Sequence, residues 1–99
     1  MPGDEPVVIT KEMAVTHADF FRSLPHALAG EQCTVDGTQV RLESADGTWR
    51  IELGPEGKRR IALLAVPATP VTMVFEGYSD TAREDALQRF DRAFQRGGG

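Results

Sequence analysis

His17, His26 and Cys33 are the residues best suited to metal or nucleophilic chemistry. An imidazole can ligate zinc or take a proton from a thiol, and a thiolate is both ligand and nucleophile. They are the only two histidines and the only cysteine of the chain, and both histidines lie in VTHADFFRSLPHAL, residues 15–28. Spacing decides what they can do together. Nine residues on a straight helix amount to about 900° of rotation and about 13 Å of rise, so the two rings leave opposite faces. A chelating helical pair needs a spacing of about four and one or two further ligands. No shared metal site and no cofactor are expected.

Two other candidates come from the rest of the chain. GPEGKRR, residues 54–60, has two glycines that could present backbone N–H groups to an anion, with Lys58 and Arg59 beside them. It lacks both the G-K-[ST] ending of a phosphate loop and a dinucleotide-binding glycine spacing. Its basic residues read more simply as charged ends of a hairpin. Eight of the 15 carboxylates have a structural reading, Asp36 and Asp46 in turns, Asp19, Glu84 and Asp85 at helix starts, and Glu43, Glu52 and Glu76 opposite arginines on strands, and no carboxylate dyad stands out.

The elements that position these residues follow from periodicity. VVITKEMAV, residues 7–15, puts Val7, Ile9, Met13 and Val15 on one face of a strand, with Lys11 the exception. Thr16, with Asp19 three residues on, caps a helix that begins at His17 and carries Phe20, Phe21, Leu24, Ala27 and Leu28 on one stripe. Pro25 should kink or split it, and Gly30 should stop it. Asp36-Gly37 and Asp46-Gly47 are hairpin signals, because a type I′ turn needs positive φ at both central residues.

Taken as two-residue loops, they set Cys33 opposite Val40, Val40 opposite Leu53, Leu42 opposite Ile51 and Ser44 opposite Trp49. Arg41 then meets Glu52, and Glu43 meets Arg50, on the other face. In that register Cys33 points into the core, where a thiol behaves as a small apolar group. Loops at residues 54–58 and 66–70 set Ile61 opposite Ile51 and bring Val71, Met73 and Phe75 back along Ala65, Leu63 and Ile61, with Glu76 across from Arg60. A final helix has a Thr81/Glu84 capping box, a stripe of Ala82, Ala86, Leu87, Phe90, Ala93 and Phe94, and Gly97 as its terminal cap.

The expected fold is therefore α+β: strand, helix, an antiparallel meander of about five strands, and helix. The economical packing is a two-layer sandwich with both helices on one face of the sheet. Residues 1–99 form a single domain, with 1–5 and 97–99 as flexible termini.

Composition narrows the function classes. With 40% apolar and 26% charged residues the chain has the profile of a globular domain. It contains no apolar run near the ~18 residues of a membrane span and does not start like a signal peptide. The net charge of −4 comes without the basic stripe of a nucleic-acid binder. A lone thiol suits a reducing compartment. The expectation is a cytoplasmic protein with no membrane or nucleic-acid partner.

One feature exceeds what a solitary domain needs. Ala62, Leu64, Val66, Thr72 and Val74 form a mostly apolar patch on the outer sheet face, where the preceding strands carry Arg and Glu. The patch points first to a non-enzymatic interaction module that binds itself or a protein partner there. A small-ligand binder with a pocket between helices and sheet comes second, and a redox protein or enzyme depending on Cys33 third.

Overall fold

The structure, a computed structural model, describes residues 5–97. Residues 1–4 and 98–99 of the termini expected to be flexible lie outside that range. Eight elements run in the order β1 (Val7–Met13), α1 (His17–Ala27), β2 (Thr34–Asp36), β3 (Gln39–Ser44), β4 (Gly47–Leu53), β5 (Gly57–Ile61), β6 (Leu64–Glu76) and α2 (Asp80–Gly97). The fold is α+β, with every strand pairing antiparallel. The sheet is ordered β1-β6-β4-β3-β2, and β5 pairs with β6 alone. The first strand thus lies beside the last, Val8 opposite Val74 and Thr10 opposite Thr72.

Alternation along the strands builds the core. Val40, Leu42, Trp49, Ile51, Leu53, Val71, Met73 and Phe75 are all buried, while their outward neighbours Arg41, Arg50 and Glu52 are exposed. Phe20 and Leu24 of α1 and Ala86, Phe90 and Phe94 of α2 join the same cluster. Aromatic contacts tie the layers together: Phe90 lies 5.8 Å from Trp49 and 6.1 Å from Phe20, and Phe20 stacks on Phe94 at 5.2 Å. Lys11, on the core-facing side of β1, reaches Asp91 of α2 at 2.6 Å and lies 5.7 Å from the centre of the Phe90 ring. Its ammonium is satisfied at the edge of the core, which is how a charge fits an apolar strand face.

Both Asp-Gly hairpins form, but each turn is displaced by one residue. Asp36 pairs with Gln39 and Ser44 with Gly47, so the loops are Gly37-Thr38 and Ala45-Asp46. Val40 therefore faces Ile51, and Leu42 faces Trp49, in place of the partners expected. A shift of two positions keeps every side chain on its face, so the apolar pattern cannot tell these registers apart. The charges do change partners. Arg41 lies opposite Arg50; Arg41 bonds Glu43 on its own strand at 2.8 Å, and Arg50 reaches Glu76 on β6 at 3.1 Å.

The larger correction concerns β5 and β6. The segment expected as a loop at 66–70 is strand throughout, since β6 runs unbroken for 13 residues through Pro67 and Pro70, whereas the loop expected at 54–58 is present but shorter, residues 54–56 alone lying between β4 and β5. It is β6 that pairs with β4, Met73 opposite Ile51 and Phe75 opposite Trp49, and Ile61 turns directly to Leu64. The prolines are tolerated for local reasons. Pro67 sits where β6 has one neighbour, and Pro70 sits where the ladder is interrupted beside Gly54.

The helix ends also differ in detail. Thr16 caps α1, its Oγ1 accepting from the Asp19 N–H at 3.0 Å, and Pro25 neither splits the helix nor ends it before Ala27. Ala29 and Gly30 then take positive φ to turn the chain. At α2, Ser79 rather than Thr81 accepts from the first-turn amide of Ala82, at 3.1 Å, and Gly97 lies within the helix.

Candidate functional site

The most distinctive surface is a projecting arm. β4 and β5 pair with successive halves of β6: Leu53 faces Val71 and Gly57 faces Ala68. Residues 54–56 thus stand opposite only 69–70, one extra residue that bulges the strand and redirects the chain beyond it. Past the bulge β1 has ended at Met13 opposite Thr69, so β5 and residues 64–68 continue as a two-stranded ribbon. The molecule measures 50 × 25 × 24 Å. Ala62 turns the ribbon with φ 54, and Leu63 is 97% exposed at the apex. Ile61 and Leu64, the last cross-strand pair, are 55% and 68% exposed.

The five patch residues divide between the arm and the body. Leu64, Val66, Thr72 and Val74 occupy alternate positions of the single strand β6, facing away from Val71 and Met73, whereas Ala62 is in the turn. Leu64 and Val66 are carried on the arm. Thr72 and Val74 lie in the body, half-buried between β1 and β4, with Val8 beside them 61% exposed. They border a shallow groove of about 440 Å³ on the outer sheet face, which Arg41, Arg50, Asp36 and Glu52 also line. Composition signals this stripe; the prolines hide that it belongs to one strand.

The structure separates the chemical candidates. His17 is half-buried, its Nε2–H donating to the Gly54 carbonyl at 2.8 Å and its backbone N–H to the Glu56 carboxylate at 2.7 Å, so it clasps the bulge to the start of α1. His26 is exposed near the end of that helix. Among the described residues no group of three His, Cys, Asp or Glu could hold a metal ion. Cys33 precedes β2 rather than facing Val40, which pairs with Val35, and it is half-buried against the rim of the core.

Lys58 and Arg59 belong to β5 and not to a loop, and Arg59 reaches Glu12 of β1 at 2.9 Å. The Gly54 amide is already bonded to the Pro70 carbonyl at 2.7 Å. A backbone anion cradle is not assembled there.

A cleft of about 280 Å³ opens between the start of α2, Glu31 and the sheet, lined by Leu42, Trp49, Tyr78, Ala86, Asp46 and Asp85 among others. The buried Trp49 Nε1 has no hydrogen-bond partner. Burial pushes the Tyr78 phenol above its ordinary value; Asp46 and Glu31 add to the shift, while a bond with Ser44 and the charge of Arg89 oppose it. A native state that keeps its phenol proton above the unfolded value of about 10 is destabilised as pH rises through the folded value, and the contribution is intact below 10. Tyr78 is the only tyrosine. Phenolate absorbance of the native protein is therefore expected to follow one curve with its midpoint above that of the denatured chain, and coincident curves would contradict the burial.

Comparison of the chain with protein-family models, curated proteins and solved structures finds no match.

Proposed function

We propose that the chain is a non-enzymatic interaction module of the cytoplasm that associates with itself or with a protein partner through the outer face of β6. The observation that carries this is the placement of Val8, Thr72 and Val74 on the solvent side of a sheet whose neighbouring strands show Arg50, Glu52 and Arg41 there. An apolar stripe on such a face removes water at little conformational cost when a second surface covers it. The chemical side chains support a structural role instead, since His17 is committed to the bulge and Cys33 to the rim of the core. Its single thiol suits a reducing compartment.

Val74→Lys tests the proposal. A lysine stem can lie along the strand with its ammonium in water, and Arg50 across from it is already paired with Glu76, so stability is expected to change by less than about 1 kcal/mol. An unpaired charge in an interface costs far more, so sedimentation is expected to show a lighter species, or a pull-down to lose its protein. If neither the mass nor the captured protein changes, the β6 face is not the interface.

A second reading, a small-ligand binder, draws on the cleft beside Trp49, whose unpartnered indole N–H and neighbouring Asp46 and Asp85 would suit a ligand with both an acceptor and a cationic group. The outer face is favoured because the large side chains between helices and sheet already fill the core.

A further inference from the structure

We propose that the tip of the arm docks on an anionic lipid bilayer, with Ile61, Leu63 and Leu64 entering the interfacial layer and Lys58 and Arg60 engaging the phosphates of the headgroups. This goes beyond the β6-face proposal and does not rest on it. Peripheral docking needs no membrane-crossing helix, and among the described residues no helix is long and apolar enough to be one.

Three observations favour a lipid surface over a protein pocket or a nucleic acid. The first is the chemistry of the tip. From Ile61 to Ala68 no side chain can donate or accept a hydrogen bond, so the three exposed aliphatic groups offer area without direction. Protein anchors are enriched in Trp, Tyr and Arg seated in shaped pockets, whereas an interfacial lipid layer asks only for apolar area.

The second observation is charge. Gly57–Phe75 contains Lys58, Arg59 and Arg60 and no acidic residue. This stretch contributes +3 to a chain of net charge −4, which leaves −7 for the remainder. Arg59 is drawn back to Glu12. Among the described residues Lys58 and Arg60 have no ion-pair partner; they lie on the same side of β5 and within three residues of the tip, and their long stems let the charges sit at headgroup depth. A nucleic-acid groove would want more cations along the ribbon and would meet an aliphatic tip.

The third observation is reach. The five residues of β5 extend about 17 Å, twice the Debye length of about 8 Å at physiological ionic strength. Most of the acidic body therefore stays beyond the range at which it would be repelled by the surface that attracts the collar, and of the carboxylates at the base of the arm Glu12 is neutralised by Arg59 while Glu56 accepts from the His17 N–H. Depth is limited by the same ribbon. Its two open edges cannot enter hydrocarbon, where backbone groups find no partners, so contact stops at the turn and its first cross-strand pair.

The test is co-sedimentation of the whole chain with phosphatidylcholine vesicles and with vesicles of phosphatidylcholine and phosphatidylglycerol. Binding is expected only to the anionic vesicles and is expected to weaken with salt. Leu63→Asp, and separately the double change Lys58→Glu with Arg60→Glu, should each reduce the bound fraction about tenfold. These side chains are exposed, so each variant should melt with the wild type; Leu63→Ser is the milder replacement should Leu63→Asp not fold. Equal binding to neutral vesicles, no binding to either, or unchanged binding by Leu63→Asp would each overturn the proposal. So would an arm that holds a nucleic acid, or builds a larger protein species, without holding vesicles.

Discussion

Gly47→Ala is expected to cost about 2 to 4 kcal/mol, which for a chain of this size lowers the melting temperature by roughly 10 to 30 °C. Gly47 opens β4 with φ 139, a conformation that side chains rarely adopt. The harder constraint is space. A Cβ there would lie 2.2 Å from the Glu76 carbonyl oxygen, 3.0 Å from Tyr78 Cδ1 and 3.1 Å from the Gly77 carbonyl carbon. Two of these are backbone atoms of the β6 end, so relief requires β4 and β6 to part where Thr48 pairs with Glu76.

Gly37 is the control, with φ 62 and nothing within 4 Å of its would-be Cβ. Gly37→Ala bears only the conformational penalty, about 1 to 2 kcal/mol. Thermal unfolding of the two variants side by side checks this. Equal costs would mean that Gly47 serves turn conformation, and that β4 does not approach Gly77 as closely as described.

The same glycine shows how far the sequence can be read. Asp46-Gly47 announces a hairpin, and a hairpin is there, but the glycine is required by an approach from residues some thirty positions later. No local pattern carries that information, so the sequence places the turn one residue too far along. Faces survive the error because the side-chain period is two, and for that reason Val40, Leu42, Ile51 and Trp49 are legible as core while their partners are not.

Pro67 and Pro70 mislead more seriously. Proline normally ends a strand, and its tolerance here depends on a missing neighbour at one position and a bulge at the other, both tertiary facts. The apolar stripe at Leu64, Val66, Thr72 and Val74 is visible because composition needs no register. The arm that carries half of it is not, because a ribbon is defined by where β1 and β4 stop. Lys11 reads as a flaw in an apolar strand until Asp91, eighty residues later, supplies its partner.

Phe90→Ala is the second change with a large expected effect, about 3 to 5 kcal/mol. Phe90 is 0% exposed. Its ring lies 4.6 Å from Phe94, 5.8 Å from Trp49 and 6.1 Å from Phe20, so one side chain touches α1, α2 and the sheet at once. The cavity left by truncation cannot close by a shift of α2 alone. Moving the helix toward Trp49 would draw Phe94 off Phe20, and Lys11 would lose the ring beneath its ammonium while still bound to Asp91.

Denaturant unfolding followed by fluorescence measures the loss, since Trp49 is the only tryptophan and sits against the cavity. The midpoint is expected to fall with an unchanged slope, because the surface exposed on unfolding is nearly the same. Native emission is expected to shift to the red as water reaches an indole that Phe90 had covered. Phe90→Leu, which refills most of the volume, should recover more than half of the stability. A cost below about 1 kcal/mol for the alanine variant, with Trp49 emission unmoved, would show that α2 does not close the core over Trp49.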